Sequence, residues 1–311
     1  MDRLKIIFST SLMNTEIYKK FTLKKAMVFD KKYPHGIMGV SIETTLNCNA
    51  KCIMCYHAYK KLYGTMNMNL FKKIIDDCFQ NGINYITLSI YGEPLMDKDF
   101  FERIKYLRKY NMNYSFSTNG SLLTNENAMK LFKLGGLKEI IFSVAGYDKN
   151  VYEKIMINLN RDVVYKNILN FLSLKKKFNK TDIYTMISIV KTKFNKNDIK
   201  KFVNFWQKQK GVNRVRISDL WDRVGDKNIS QIGELTKLHK KGNWLSPCKQ
   251  LWGKVYIYFD GRVGPCCDDA DLRQLVIGDM NKQTLREIYA GEKIMNLRKL
   301  HIKDKRKDHA I

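Results

Sequence analysis

The sequence predicts an α/β fold in which β–α units repeat along one parallel sheet. Six short, β-rich apolar runs alternate with amphipathic stretches as far as about residue 220. Glycines such as Gly82, Gly135 and Gly211 follow amphipathic stretches, as is typical of helix ends. Because each unit is about 30 residues long, successive strands need crossover helices, and the sheet should be either open and doubly wound or curved into a partial barrel.

The predicted elements follow one another in a regular order. The strand candidates are residues 37–43, 85–90, 114–117, 139–144, 183–190 and 214–220. The helix candidates are residues 68–80, 98–110, 126–134, 163–178 and 197–210. The pattern then changes to a polar connection at 221–244, a hairpin at 254–267 with an Asp260-Gly261 turn, and one or two closing helices at 284–300.

The charge is strongly basic, with 56 Lys and Arg against 30 Asp and Glu in 311 residues, a formal net charge of +26. Such a surplus raises nucleic acid as a partner. The lysines are scattered through several amphipathic stretches, however, which is typical of solvated helix faces. No apolar run approaches the ~18 residues of a membrane span, and the first residues lack a secretion signal. We therefore expect a cytoplasmic protein without a membrane or a nucleic acid as partner.

The cysteines carry more information than the charge, because six of the seven fall in two tight groups. They are Cys48, Cys52, Cys55, Cys78, Cys248, Cys266 and Cys267. An odd number of cysteines without a secretion signal argues against a disulfide framework. Clustered cysteines in a reducing compartment are more often metal or iron–sulfur ligands. Cys78 stands alone in a helix candidate, where we expect it to pack in the core.

The first cysteine group has the spacing CxxxCxxC, in IETTLNCNAKCIMC, directly after the first strand candidate. Three thiolates on one loop can bind three irons of a cubane and leave the fourth iron open to a substrate or cosubstrate. The alternatives are a zinc site with His57 as fourth ligand and three buried, small hydrophobic residues. The spacing favours the iron–sulfur cluster.

Two further motifs stand where the carboxyl ends of parallel strands meet. YGEP, residues 91–94, follows the second strand candidate, and SFSTNG, residues 115–120, ends the third. Together with the cysteine motif, they make the sequence similar to the radical S-adenosylmethionine (SAM) superfamily. The resemblance implies a partial (β/α)6 TIM-like barrel, in which Cys48, Cys52 and Cys55 hold a 4Fe–4S cluster and SAM binds the open iron.

The resemblance also implies which residues contact SAM. The GEP residues would receive its amino group, and the polar residues that end the third and fourth strands would contact its ribose or carboxylate. Met54 stands where the family often has an aromatic residue near the adenine, while Lys191 or Arg216 could pair with the carboxylate. The implied binding residues are Met54, Gly92, Glu93, Pro94, Ser117, Thr118, Asn119 and Ser143.

The second cysteine group brackets the hairpin, with twelve residues from Cys248 to Gly261 and four more to Cys266. This spacing resembles the SPASM or shorter twitch extension of radical SAM enzymes, and implies a small C-terminal α+β domain with an auxiliary 4Fe–4S cluster. Cys267 would be a third ligand. The extension usually continues with further cysteines, which this sequence lacks before Ile311. We expect either a cluster held by these three cysteines or, by preference, further cysteines beyond Ile311 in a longer chain.

The domain organisation expected on these grounds is an N-terminal lead at 1–36, a barrel at 37–225, a linker at 226–243 and an auxiliary-cluster domain at 244–311. The implied reaction is the reductive cleavage of SAM to a 5′-deoxyadenosyl radical, which abstracts a hydrogen atom from the substrate. An auxiliary cluster suggests an oxidative, dehydrogenation-type outcome, and an electron donor such as flavodoxin or ferredoxin is implied.

The substrate is less well determined than the reaction. Only 47 residues precede Cys48, too few for a leader-binding domain, which favours a small polar metabolite over a peptide. A peptide-modifying or protein-modifying maturase stays an alternative. Two further classes remain open, a zinc-dependent nucleic-acid-binding module and a scaffold that keeps the fold without catalysis.

Overall fold

The structure, a computed structural model, describes residues 39–55, 63–220, 232–233, 248, 250–267 and 273–303. This part of the chain contains eleven strands and nine α-helices. The predicted N-terminal lead, most of the predicted linker and His57 lie outside the described residues. Among the described residues, no helix is long and apolar enough to cross a bilayer.

The elements are short and follow the β–α order that the sequence predicts. The strands are β1 Gly39–Ile42, β2 Lys51–Cys52, β3 Tyr85–Thr87, β4 Asn113–Thr118, β5 Leu137–Ser143, β6 Met156–Ile157, β7 Tyr184–Val190, β8 Arg214–Ser218, β9 Lys254–Ile257, β10 Arg262–Gly264 and β11 Gly278–Asp279. The helices are α1 Met68–Gln80, α2 Phe100–Lys109, α3 Asn125–Leu134, α4 Lys149–Ile155, α5 Arg161–Lys177, α6 Ile199–Gln207, α7 Gln250–Gly253, α8 Leu285–Ala290 and α9 Glu292–Ile302. A 3₁₀ helix spans Pro94–Met96.

Six strands form a parallel sheet in which they follow one another in chain order, β1-β3-β4-β5-β7-β8. A doubly wound sheet reverses its strand order part-way, whereas this order runs in one direction throughout. The structure therefore confirms the partial (β/α)6 barrel. The carboxyl ends of all six strands lie at one edge, where the motif residues meet.

The helices cover the outer face of this sheet and bury their apolar sides against it. On α1 the fully buried residues Phe71, Ile74, Ile75 and Cys78 recur at helical spacing and form one stripe. The prediction that Cys78 packs in the core is confirmed. Burial of one such aromatic side chain stabilises the fold by about 1.5–3 kcal/mol.

The C-terminal hairpin extends the barrel sheet instead of forming a sheet of its own. β9 pairs in parallel with β1, and β10 and β11 follow in antiparallel order. Beside this junction, the Glu43 carboxylate accepts a hydrogen bond from Arg273 Nη2 at 2.7 Å and one from the Phe259 amide at 3.2 Å. Both ends of this ion pair are almost fully buried. The barrel and the C-terminal strands thus share one sheet and one buried ion pair.

The closing helices pack against α1. The amide of Leu285, at the start of α8, donates to Asp77 Oδ2 at 2.6 Å. Lys73 Nζ donates to the carbonyls of Met280 and Asn281 at 2.7 and 3.0 Å. The hairpin strands, the Asp260-Gly261 turn and two closing helices are as the sequence predicts.

Candidate active site

The loop that follows β1 carries the first three cysteines, and residues 43–55 are termed the cysteine loop. Cys48, Cys52 and Cys55 are half-buried, and none of them is in a disulfide. The two-residue strand β2, which contains Cys52, pairs with β6, so that Cys52 Sγ lies 3.8 Å from Met156 Sδ. The short β2–β6 pair, which the sequence analysis did not predict, therefore fixes one side of the cysteine loop.

The GEP segment, residues 91–94, fixes the other side. The amide of Glu93 donates to the carbonyl of Asn47 at 2.8 Å. Gly92 adopts a φ of +77°, which turns the backbone sharply after β3. Pro94 is buried and begins the 3₁₀ helix. Two of the three predicted motifs are thus in direct backbone contact.

The Glu93 carboxylate lies beneath this contact and is only 1% exposed. One oxygen accepts from the Thr118 hydroxyl at 2.7 Å and from the Leu95 amide at 3.3 Å, and the other accepts from the Asn119 amide at 2.7 Å. Burial raises the pKa of Glu93 to about 7, against the lowering effect of these hydrogen bonds. Glu93 therefore joins the GEP segment to the end of β4, inside the protein.

A side-chain network extends this connection to the cysteine loop. Asn119 Nδ2 donates to Asn49 Oδ1 at 3.0 Å, Asn49 Nδ2 donates to Ser121 Oγ at 2.9 Å, and Ser121 Oγ donates to Asn119 Oδ1 at 2.6 Å. The sequence analysis missed Asn49 and Ser121. Asn49 lies between two motif cysteines, but a single Asn in a loop has no pattern that distinguishes it from a turn residue.

Burial disfavours the thiolate form of two thiols of the cysteine loop. Burial raises the pKa of Cys48 to about 11, and the charges of Glu93 and Cys55 raise it further. Burial also raises the pKa of Cys52, with a smaller contribution from Cys55 and Cys48. The three sulfurs therefore lie near enough for their charges to interact. A bound cation would offset this repulsion and favour the thiolates.

The other predicted binding residues lie along the same edge of the sheet. The Ser117 amide donates to Ser89 Oγ at 3.0 Å. Ser143 is exposed at the end of β5 and lies opposite Ser188 of β7. Met54 packs in an apolar group at the mouth of the barrel. Its neighbours there are Ile53, Val190, Phe194, Leu220 and Ile232.

Hydroxyl side chains line the inner face of the sheet, termed the concave face. Alternate strand residues such as Phe116, Ile140 and Ile187 are buried on the opposite, helix-covered face. The concave-face positions lie opposite one another in the strand register, and Ser115 Oγ donates to Thr87 Oγ1 at 3.3 Å. The serine and threonine residues on the concave face include Ser41, Thr87, Ser115, Ser117, Ser143, Ser188 and Ser218.

The C-terminal cysteines lie around Tyr256 of β9. Cys267 packs against the buried pair Tyr256 and Tyr258, and so does Tyr91, the residue that precedes Gly92. Burial raises the pKa of Tyr256, and the charges of the three C-terminal cysteines raise it further. The amide of Cys248 donates to His301 Nδ1 at 3.2 Å. The two cysteine groups therefore flank the GEP segment.

A protein-family model described as the radical SAM superfamily matches residues 42–205, more than half of the chain. The chain belongs to the radical SAM superfamily. A second model, described as SPASM, an iron–sulfur cluster-binding domain, matches residues 248–310. These matches confirm the prediction of a radical SAM enzyme with a C-terminal SPASM domain. They favour it over the alternative of a zinc-dependent nucleic-acid-binding module.

Solved structures share the fold at low sequence identity. BtrN in complex with AdoMet (SAM) and 2-DOIA is 17% identical with a TM-score of 0.58, over 88% of this chain and 90% of that chain. SuiB of Streptococcus suis bound to the precursor peptide SuiA is 15% identical with a TM-score of 0.67, over 95% of this chain and 74% of that chain.

Curated relatives match over a shorter range. An uncharacterized protein of Methanocaldococcus jannaschii is 30% identical over 142 residues, which is 45% of this chain and 44% of that protein. The chain thus matches less than half the length of this curated relative.

The cofactors of a radical SAM enzyme with a SPASM domain are a 4Fe–4S cluster, SAM and an auxiliary iron–sulfur cluster. The cysteine loop fits the first of these groups, because it offers three neighbouring thiols, none of them in a disulfide. Within the described ranges, no three His, Cys, Asp or Glu side chains converge closely enough to hold a single metal ion. The ligands of a cubane stand farther apart, since each thiolate binds a different iron.

Proposed function

We propose that this enzyme binds a 4Fe–4S cluster through Cys48, Cys52 and Cys55 and cleaves SAM there to modify its substrate. The supporting observation is the position of these three thiols on one loop, in backbone contact with the GEP segment. When bound, the cluster and SAM supply a 5′-deoxyadenosyl radical that removes a hydrogen atom from the substrate.

In this proposal the residues around the cysteine loop hold SAM in one orientation. The backbone at Gly92 and Pro94 receives the amino group, while Thr118, Asn119 and the serines of the neighbouring strand ends contact the ribose or carboxylate. Glu93 is a positioning residue, because its carboxylate is buried and already accepts three hydrogen bonds. The apolar group around Met54 offers the adenine a surface without an aromatic ring.

The second cysteine group would hold the auxiliary cluster in the C-terminal domain, which we place at 244–311, joined by a linker at 226–243 to a barrel at 37–225. Cys248, Cys266 and Cys267 are the proposed ligands. The packing of Cys267 and Tyr91 against the same pair of buried tyrosines supports a cluster near the substrate. Such a cluster suits an oxidative outcome, since it can accept the electron left on a substrate radical. An acidic electron donor such as flavodoxin or ferredoxin suits the net charge of +26.

The proposed substrate is a small polar metabolite, and the reaction is of the dehydrogenation type. The hydroxyl-lined concave face supports this choice, because serine and threonine side chains hydrogen-bond polar groups of either sign. A peptide substrate is the second candidate. It is supported by the similarity to SuiB bound to a precursor peptide, which extends over 95% of this chain.

Iron and sulfide quantitation after anaerobic reconstitution tests both cluster sites. We expect the Cys48→Ala/Cys52→Ala/Cys55→Ala variant to lose about four irons per chain and all 5′-deoxyadenosine formation from SAM and dithionite. The Cys248→Ala/Cys266→Ala/Cys267→Ala variant should also lose iron, but should still form 5′-deoxyadenosine.

Cys78→Ala is the matched control, since Cys78 is fully buried in α1 and lies apart from both groups. Its iron content should equal that of the wild type. Unchanged iron in the first triple variant would refute the assignment of the cysteine loop. Retained iron without any 5′-deoxyadenosine in the wild type would instead indicate a scaffold that binds the cluster without catalysis.

A further inference from the structure

The turn of the C-terminal hairpin packs on Gly64, which follows the cysteine loop in the sequence. Phe259 of this turn is half-buried, and its ring lies so close to Gly64 that a Cβ there would overlap it. The Phe259 amide donates to the Glu43 carboxylate at 3.2 Å, and the Arg273 guanidinium lies 5.2 Å from the ring centroid. The buried Glu43–Arg273 ion pair therefore holds Phe259 in place on Gly64.

Gly64 is hydrogen-bonded to three successive residues of the cysteine loop. Its carbonyl accepts from the Leu46 amide at 2.8 Å and from the Thr45 hydroxyl at 3.1 Å. Its amide donates to Asn47 Oδ1 at 3.3 Å. These three residues directly precede Cys48, so the position of Gly64 fixes the segment that leads into the first proposed cluster ligand.

The same three residues contact the GEP segment as well. The Asn47 carbonyl accepts from the Glu93 amide at 2.8 Å, and the Thr45 carbonyl lies so near Gly92 that a Cβ there would overlap it. Thr45 is only 1% exposed. The two glycines thus allow backbone and ring to approach more closely than side chains would permit. Because close-packed interiors transmit displacements, a shift of the hairpin turn should reach the GEP segment.

We propose that Phe259 is a positioning residue for SAM binding, because through Gly64 it holds the cysteine loop against the GEP segment. The inference rests on the proposed function and deepens it. The proposed cluster ligands lie on the cysteine loop, whereas the proposed acceptors of the SAM amino group lie on the GEP segment. Their relative position decides whether one SAM molecule can reach both. The C-terminal hairpin therefore contributes to SAM affinity without touching SAM.

Binding of SAM to the reconstituted enzyme, measured by isothermal calorimetry at equal iron content, tests this proposal. We expect Phe259→Ala to weaken SAM binding about fivefold, the order expected of a residue that acts through intervening contacts. Phe259→Leu should restore most of the affinity, because leucine fills much of the volume of the ring.

Phe205→Ala is the matched control. Phe205 is half-buried in α6, where its ring lies 5.0 Å from that of Trp206 and 5.5 Å from that of Tyr165. Its truncation removes a comparable apolar contact far from the cysteine loop in the sequence. It should change SAM affinity less than about twofold, which separates positioning from a general loss of stability.

Variants at Gly64 test the contact itself. Gly64→Ala should also weaken SAM binding, because its Cβ would displace the Phe259 ring. In Gly64→Ala/Phe259→Ala the smaller side chain leaves room for this Cβ, so the double variant should bind SAM no more weakly than either single variant. Independent effects of about fivefold each would instead multiply to about 25-fold.

Hydrogen exchange followed by mass spectrometry gives a second readout, which needs no SAM. The Leu46 amide bonds to Gly64 and the Glu93 amide bonds to Asn47, so both report on the contacts of the cysteine loop. Peptides that contain these amides should exchange faster in Phe259→Ala than in the wild type. In Phe205→Ala they should exchange at the wild-type rate.

Equal SAM affinity in the wild type and in Phe259→Ala would overturn the proposal, and so would single effects that multiply in the double variant. The proposed function is tested separately by 5′-deoxyadenosine formation with SAM and dithionite. If the wild type forms 5′-deoxyadenosine and Phe259→Ala binds SAM equally well, only the positioning inference fails. If the wild type binds SAM without forming 5′-deoxyadenosine, the proposed function fails, while weaker binding by Phe259→Ala would still support the positioning role.

Discussion

Gly92 is the residue at which backbone conformation and site geometry are most closely linked. Its φ of +77° lies in the left-handed region. A Cβ at this position would lie 2.4 Å from the carbonyl oxygen of Thr45 and 3.0 Å from that of Asn47. Glycine is therefore required at this position for two reasons. One is the positive φ, and the other is the close approach of the cysteine-loop backbone.

We expect Gly92→Ala to lower the free energy of unfolding by more than the ~1–2 kcal/mol that a left-handed conformation costs an alanine. Iron bound by the cysteine loop should also fall. Gly82→Ala is the matched control, because Gly82 has a φ of +72° but no atom within 4 Å of the added Cβ. Urea unfolding and iron quantitation of both variants provide the measurement. Equal losses of stability and iron in the two variants would contradict the role of the contact.

At the residue scale, the sequence identified motif positions better than their contacts. YGEP and SFSTNG were expected at the strand ends, and the structure brings Glu93, Thr118 and Asn119 into direct hydrogen bonding. The partners of the Glu93 carboxylate were not predictable, because they lie about one β–α unit farther along the chain. Asn49 was missed for the same reason, since its partner Ser121 is 72 residues away.

At the element scale, periodicity predicted the longer elements well. α1 spans Met68–Gln80, which is the predicted range, and each of the six predicted strands exists, with its ends within three residues of the predicted ones. α4, at Lys149–Ile155, and the two-residue strands β2 and β6 were not predicted. A helix of seven residues is too short to show a helical period, and a strand of two residues is too short to show an alternation. These short elements are nevertheless the ones that hold the cysteine loop.

The contact between α1 and α8 provides a test at this scale. We expect Asp77→Ala to destabilise the protein by about 1 kcal/mol, because the Leu285 amide at the start of α8 loses its acceptor. Limited proteolysis should then cleave the C-terminal helices faster. Asp99→Ala is the control, since Asp99 precedes α2 but its side chain makes no capping hydrogen bond. Faster cleavage in both variants alike would argue against a specific link between the two helices.

At the scale of the whole molecule, the joining of the hairpin to the barrel was not predictable. The sequence predicted a small C-terminal α+β domain, and the structure shows in addition that its strand β9 lies beside β1 in one sheet. More than 200 residues separate these strands, so no local pattern reports their pairing. For the same reason, no local pattern predicts the Glu43–Arg273 ion pair, whose residues are 230 positions apart in the sequence.

Buried carboxyl groups give the folded protein a characteristic pH dependence. Burial raises the pKa of Glu43 and of Glu93 to about 7, from the ordinary value of 4.5. The folded state therefore holds these protons more tightly than the unfolded state does. The contribution of these two protonated carboxyl groups to the free energy of unfolding is fully present below about pH 4.5. It is lost as the pH rises through about 7.

We expect the free energy of unfolding to fall as the pH rises from about 5 to about 8, and Glu43→Gln to make this fall shallower. Urea unfolding across this range measures the slope. Glu126→Gln is the control, because Glu126 is exposed on α3 and pairs with Lys130 at the surface. An identical slope in the wild type and in Glu43→Gln would show that Glu43 does not titrate in this window.

The parallel pairing of β9 with β1 also affects how the chain folds as it is synthesised. β1 is among the first strands to leave the ribosome, yet one of its two neighbours emerges more than 200 residues later. Until then, one edge of the barrel sheet presents unpaired amide and carbonyl groups to other chains. Completion of the sheet therefore depends on a contact between strands that are far apart in the sequence, and such contacts form slowly. Nascent chains that stop before residue 254 are expected to aggregate through this open edge.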